Sequence, residues 1–246
     1  MRLAGKTAIV TGAGSGFGAG MARKFAAEGA RVMVADINPK AAADIASEID
    51  ATAHQVDVSA GDSVEDMARV ALDLWGSIDI LVNNAGITHL PAPMEAVSEQ
   101  DFDRVLAVNA KSIYLTAREI VPHMKAAGRG SIVNIASTAG LSPRPNLNWY
   151  NASKGWVITA TKAMAVELAP YGIRVNALCP VAGETPLLAS FMGEDTPEMR
   201  EKFLSTIPLG RFSTPEDMGH CAAFLASDEA TMVTGVAMEV DGGRCI

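Results

Sequence analysis

Lys6-Thr-Ala-Ile-Val-Thr-Gly-Ala-Gly-Ser-Gly-Phe-Gly18 opens as a short β-branched apolar run and ends in glycines. The apolar part, Lys6 to Gly12, reads as a buried strand, and Ala19 to Glu28 as a helix that stops at Gly29. Glycines at a strand-to-helix turn let the backbone approach a pyrophosphate, which rests on the N–H groups and positive end of the helix. The positions that would line such a phosphate are Gly12, Ser15, Gly16, Phe17 and Gly18. Working outward, Arg31-Val-Met-Val-Ala-Asp36 is a second strand, with Asp36 at its tip and Ile37 next to it. An acid about 20 residues beyond such glycines accepts hydrogen bonds from an adenosine ribose and repels a 2′-phosphate. The plainer readings are an ordinary tight turn for the glycines and a helix N-cap for Asp36. Turn, helix and distal acid together favour a dinucleotide, and the acid favours NAD over NADP.

The alternation continues along the chain. Thr52 to Val58 is strand-like and Asp62 to Trp75 helical, with Asp57 either beside adenine or capping the helix region. Asp79-Ile-Leu-Val-Asn-Asn-Ala-Gly86 is an apolar run ending in small and polar residues, where α/β sheets bind ligands. Ser98 to about Gly128 is one long helical pattern around Asn109, which reads as a satisfied polar group or a helix bend. Gly130 to Ser137 is a buried strand ending in a hydroxyl, and Arg174 to Pro180 another strand. From Val181 to Pro208 the pattern breaks into a long segment, with about 183–208 expected as a substrate-binding lid. Pro215 to Ser227 is a last helix and Val236 to Asp241 a last strand. This is an α/β pattern for one domain over 1–246. It predicts a doubly wound, mostly parallel sheet of about seven strands with helices on both faces.

Composition narrows the function classes. A net charge of −8 argues against nucleic acid or an anionic membrane surface as the main partner. Three dispersed cysteines, Cys179, Cys221 and Cys245, lack zinc spacing, and the four histidines are scattered, so no metal is expected. The early first strand leaves no room for a signal peptide and no apolar run reaches membrane-spanning length, so the expectation is cytoplasmic.

Tyr150-Asn-Ala-Ser-Lys154 opens a helix running to about Ala169. Four residues apart, the phenol and the ammonium share one helical face. Tyrosine has an unperturbed pKa of about 10, and a fixed ammonium together with a cationic nicotinamide favours the phenolate. The pair therefore reads as a proton-transfer device, or else as an ordinary helix face with a snorkelling lysine.

These residues together resemble the short-chain dehydrogenase/reductase family, in its single-domain form, over essentially the whole chain. The motif Thr-Gly-x-x-x-Gly-x-Gly stands at Thr11 to Gly18, and Asn-Asn-Ala-Gly at Asn83 to Gly86. Asn, Ser, Tyr and Lys fall at Asn109, Ser137, Tyr150 and Lys154, and Pro-Gly-x-x-x-Thr at Pro180 to Thr185. The resemblance implies a Rossmann-like fold and hydride exchange with a nicotinamide. It implies that Tyr150 exchanges a proton with substrate, that Ser137 bonds the same oxygen, and that Lys154 holds the nicotinamide ribose and lowers the Tyr150 pKa. It gives Asn109 a water in the proton relay, and Thr185 a contact with the carboxamide. Asp57 and Val58 would flank adenine, and Asn84, Ala85 and Gly86 would line the dinucleotide path. It also implies a homotetramer. Three positions depart from the family pattern. Val181 replaces a usual glycine, Trp156 is large and bears on subunit packing or the pocket's back wall, and Ser15 lacks the cation of NADP-preferring relatives.

The expected substrate is a small secondary alcohol or ketone, with Ala139, Leu141, Asn146, Leu147, Val181, Leu187 and Phe191 as candidate lining. Arg144 reads first as a solvated loop arginine and second as a guide for a carboxylate or sulfonate. His89 reads as a loop histidine without a catalytic role, and Cys179 as a buried small hydrophobe. The competing activity is 3-oxoacyl-(acyl carrier protein) reductase, for which Lys125 and Arg129 are the candidate docking patch. A competing class is a non-catalytic dinucleotide-binding scaffold or sensor.

Overall fold

The seven strands of the computed structural model, which describes residues 1–246, pair only in parallel. In chain order the first half contains β1 (Thr7–Thr11), α1 (Gly16–Ala27), β2 (Arg31–Asp36), α2 (Pro39–Glu48), β3 (Thr52–Gln55), α3 (Gly61–Trp75) and β4 (Ile80–Asn83). The second half contains α4 (Glu99–Leu106), α5 (Ser112–Ala127), β5 (Gly130–Ile135), α6 (Asn148–Leu168) and β6 (Ile173–Pro180). It closes with α7 (Leu188–Met192), α8 (Pro197–Leu204), α9 (Pro215–Ala226) and β7 (Ala237–Val240). The sheet order is β3-β2-β1-β4-β5-β6-β7, so its direction of growth reverses between β1 and β4. Loops leave the two strands in opposite directions there and open a crevice at their carboxyl ends, where such sheets take ligands.

Buried strands bear apolar side chains on both faces, and two clusters cover the sheet. One packs Met21 and Phe25 of α1 and Met218 of α9 over Val10, Val82 and Val133. The other packs Met67 of α3 and Ile120 and Met124 of α5 over Ile9, Leu81 and Ile132.

Three segments differ from the sequence expectation, each for a local reason. The third strand ends at Gln55: Val56 makes a last bond to the Asp36 carbonyl, at 2.9 Å, and the Asp57 carboxylate then accepts from Ser59 N and turns the chain away. Helix α2 lies where the sequence pattern sets no element. Its signal is Asn38, whose side chain accepts from Lys40 N and Ala41 N, followed by Pro39 at the first helical position. The long helix around Asn109 is broken by a π turn over Ala107–Lys111. Such turns insert a residue into a helix and commonly mark functional sites.

Candidate active site

β1 delivers the chain into the crevice through Gly12, whose φ of +62° is one that L side chains rarely adopt. A Cβ there would also lie 2.8 Å from the Ala85 Cα, so the glycine lets the turns after β1 and β4 touch. Asn84 fastens them, its Nδ2 donating to the carbonyls of Thr11 (2.8 Å) and Gly12 (3.0 Å). Asp36 extends across the same turn. One carboxylate oxygen accepts from Gly14 N and the other from Asn38 N, both at 2.9 Å. The N-cap of α2 is Asn38, so Asp36 is not the cap. Asp57 accepts from Ser59 N and Oγ, at 2.9 and 2.6 Å, and α3 takes its N-cap from Ala60.

These residues line one cavity of about 440 Å³ that runs from the tip of β2 to the start of α6. Along it lie Gly12, Ser15, Gly16, Phe17, Gly18, Asp36, Ile37, Asp57, Val58, Asn84, Ala85 and Gly86. Pro180 and Thr185 close the other side, and Ser137, Tyr150 and Lys154 face the same space. The pyrophosphate-sized glycine turn, the acid at the adenosine end and the ring-sized room beside Tyr150 fit a nicotinamide dinucleotide.

The acid/base end is set by burial. Tyr150 is 4% exposed and packs edge-on against Phe191, with ring centroids 5.0 Å apart. Burial pushes its phenol up to about 12, against the opposing pull of the Ser137 hydroxyl and the Arg144 charge. Burial likewise pushes Lys154 down to about 8. Its Nζ donates to the Ile135 carbonyl at 2.8 Å and stands 5.9 Å from the Tyr150 ring centre. In the chain alone, burial outweighs any pull of the ammonium on the Tyr150 phenol. Ser137 sits on extended backbone after β5, with Oγ accepting from Ala139 N at 3.1 Å.

Asn109 is not in the cavity wall. Its Oδ1 accepts from Ile87 N at 2.9 Å, and its Nδ2 donates to Ile87 O at 2.9 Å and Ser153 Oγ at 3.0 Å. The π turn aims this amide at the segment behind Gly86, where it ties the β4 turn to α6. The side chain is engaged with protein groups, so its direct effect is to position Ile87, a cavity-lining residue.

Of the candidate substrate residues, Ala139, Leu147, Val181 and Leu187 line the cavity, as does Phe191. Asn146 does not. It takes a φ of +63° in an exposed turn and offers its carbonyl to Ala92 N at 3.0 Å, so the chain reverses there before α6 and its side chain leaves the site. Arg144 reverses the solvated reading, because it lines the cavity and stacks 4.5 Å from the Phe203 ring centre. The signal in the sequence was its place between two prolines just upstream of Tyr150. Leu141 is 40% exposed and outside the cavity, and Trp156 is 44% exposed on α6, so it forms no back wall. His89 is buried outside the cavity with Nδ1 on the Leu90 carbonyl, and burial pushes the Cys179 thiol up to about 12. Above the substrate end, Val181, Leu188, Met192, Ile207 and Phe212 form a small apolar cluster of their own, against which Met199, Phe203 and Leu204 of α8 pack.

A switch-point crevice with a glycine turn, facing a buried tyrosine and lysine, defines a nicotinamide-dependent oxidoreductase. The chain belongs to the short-chain dehydrogenase/reductase family. A family model described as enoyl-(acyl carrier protein) reductase matches residues 12–244. The chain is 48% identical to a 4-formylbenzenesulfonate dehydrogenase of Comamonas testosteroni, over 100% of both chains. It is 41% identical to a 3-oxoacyl-[acyl-carrier-protein] reductase of Thermotoga maritima, again over 100% of both. Among solved structures, a 3-ketoacyl-(acyl-carrier-protein) reductase from Brucella melitensis complexed with NADH superposes with a TM-score of 0.94. It shares 50% identity, over 99% of this chain and 100% of that one. The protein is thus an oxidoreductase that acts on CH–OH groups with a nicotinamide cofactor.

Proposed function

We propose that the protein is an NAD-dependent dehydrogenase that moves a hydride between nicotinamide and a small secondary alcohol or ketone. The observation that carries this is the convergence of Ser137, Tyr150 and Lys154 on the cavity that the glycine turn and Asp36 also line. When bound, the cofactor supplies the hydride site and, oxidised, a positive charge that favours the phenolate. Tyr150 gives or takes the proton at its hydroxyl, Ser137 orients the substrate oxygen, and Lys154 binds the ribose. Asp36 selects NAD, since its carboxylate is fixed by two backbone N–H groups where a 2′-phosphate would crowd it. The segment 183–208 acts as the lid, with Leu187 and Phe191 as its inner surface.

Thermal unfolding with each dinucleotide tests the cofactor assignment. At about 100 times its dissociation constant, NAD adds roughly 2.7 kcal/mol, which raises the midpoint by about 5–11 °C in a chain of this size. NADP at equal concentration gives a markedly smaller shift; a larger one overturns the role of Asp36.

The carrier-protein reductase reading draws on the two relatives of that name. Against it, the candidate docking cations are already engaged. Lys125 lies 4.4 Å from the Tyr171 ring centre and Arg129 pairs with Asp79 at 3.0 Å. No helix is long and apolar enough to cross a membrane. A homotetramer in the cytoplasm suits the exposed Tyr114, Trp156 and Val166 on α5 and α6 and the three free cysteines. Light scattering reads the subunit number directly.

A further inference from the structure

The substrate end of the cavity carries a cation that nothing in the chain neutralises. Surface arginines such as Arg23, Arg200 and Arg211 are each paired with a carboxylate. Arg144 is only partly exposed and has no acidic partner, and its guanidinium donates no hydrogen bond within the chain. The Phe203 ring fixes its plane, and Asn151 Nδ2, donating to the Arg144 carbonyl at 2.7 Å, fixes its backbone. Burial first, and then the nearby positive charge of Arg244, hold the Arg144 pKa below its ordinary value, against the smaller opposing pulls of Tyr150 and Cys245. Arg244, outside the cavity lining, also has a buried Nε without a hydrogen-bond partner. The carboxylates that line the cavity, Asp36 and Asp57, belong to its opposite, β2–β3 end. In a chain of net charge −8, the substrate end of this cavity thus has a lining cation and no lining carboxylate.

We infer that Arg144 is the specificity-determining residue for an anionic substrate, one whose reacting carbinol or carbonyl is joined through a compact apolar body to a carboxylate or sulfonate. The inference rests on the dehydrogenase reading above and narrows its substrate class. A guanidinium presents a rigid fork that matches two oxygens of either head group. Between the fork and Tyr150, Leu147, Val181, Leu187 and Phe191 accept the apolar body. Anion binding also relieves the cost of keeping a partly buried cation unpaired.

Equilibrium binding to the NAD-loaded protein tests this without turnover, because a ketone cannot accept hydride from the oxidised cofactor. The probes are 4-acetylbenzoate and 4-acetylbenzenesulfonate, with 4-acetylbenzamide as the neutral match. At least one of the two anions binds at least about tenfold tighter than the amide, as expected for a charge-assisted fork. In R144Q that ratio falls to near one, and in R144K it is intermediate. Should R144Q fail to fold, added salt on the unaltered protein serves instead, weakening the anions but not the amide. A ratio near one in the unaltered protein overturns the inference, as does a ratio unmoved by both R144Q and salt. Tyr150-dependent reduction of neutral ketones without any anion preference sinks this inference alone. Anion preference without reduction of any carbonyl by NADH sinks the dehydrogenase reading and leaves the anion site standing.

Discussion

Tyr150→Phe lowers turnover by about 10²–10⁴-fold, the span a positioned proton donor contributes, while NAD affinity stays within a few-fold. The asymmetry follows from the packing. Phe keeps the ring that meets Phe191 edge-on at 5.0 Å, so the buried wall survives. The glycine turn and Asp36 lie at the other end of the cavity and do not depend on the hydroxyl. What is lost is the O–H that exchanges the substrate proton. NADH absorbance in both directions gives the rate, and dinucleotide titration gives the affinity. Turnover within a few-fold of the unaltered protein would reject Tyr150 as the acid/base. The same group sets the pH dependence. With the phenol pushed up to about 12, the protonated form that reduction requires prevails at neutral pH. Ketone reduction therefore falls, and alcohol oxidation rises, as the pH is raised from neutral into the alkaline range. In Tyr150→Phe the residual rate loses this opposed pair of slopes.

Gly18→Ala is expected to cost about 3 kcal/mol of stability, at the upper end for overpacking, and to abolish detectable dinucleotide binding. A Cβ at this position would lie 2.2 Å from the Gly12 carbonyl oxygen and 2.5 Å from Asn84 Nδ2. The first of these is backbone and cannot rotate aside, and the second is the amide that fastens the β1 turn to the β4 turn. Helix α1 must therefore move off the turn, and the N–H groups meant for a pyrophosphate lose their convergence. The midpoint of thermal unfolding should drop by roughly 6–12 °C, and added NAD should no longer raise it. A variant that keeps the NAD-dependent rise would show that helix α1 does not need this close approach.

Much of this molecule was legible because its signals are local. The first run into glycines, the acid at the tip of β2 and the Tyr150–Lys154 spacing each fix their own short stretch of backbone. The parallel direction of the strands followed from alternation, since parallel neighbours need a crossover between them. The missed features depend on contacts between distant segments. Nothing near Arg144 in the sequence says that Phe203, some sixty residues on, will cover it. Read as loop residues, Asn146 was placed in the lining and Arg144 in solvent, and only the reversal at Asn146, read from its φ of +63°, sends one outward and leaves the other in the cavity. The partner of Lys154 depends on such a contact too. Spacing on a helix specifies a shared face, but the competing carbonyl of Ile135 comes from β5.

The π turn at Ala107–Lys111 has a mechanical consequence for the rod it interrupts. An α-helix rotates about 100° per residue, so one extra residue offsets everything after it by about that angle. Upstream, α4 meets α6 through Phe102 against Trp149, at 5.3 Å between ring centres. Downstream, α5 turns Leu115, Ile120 and Met124 toward the sheet and α3. A rod of constant phase carries a single straight seam and serves one neighbour well. The surplus residue works as a gearbox, letting one continuous segment engage two partners at different headings, with Asn109 placed at the change of gear.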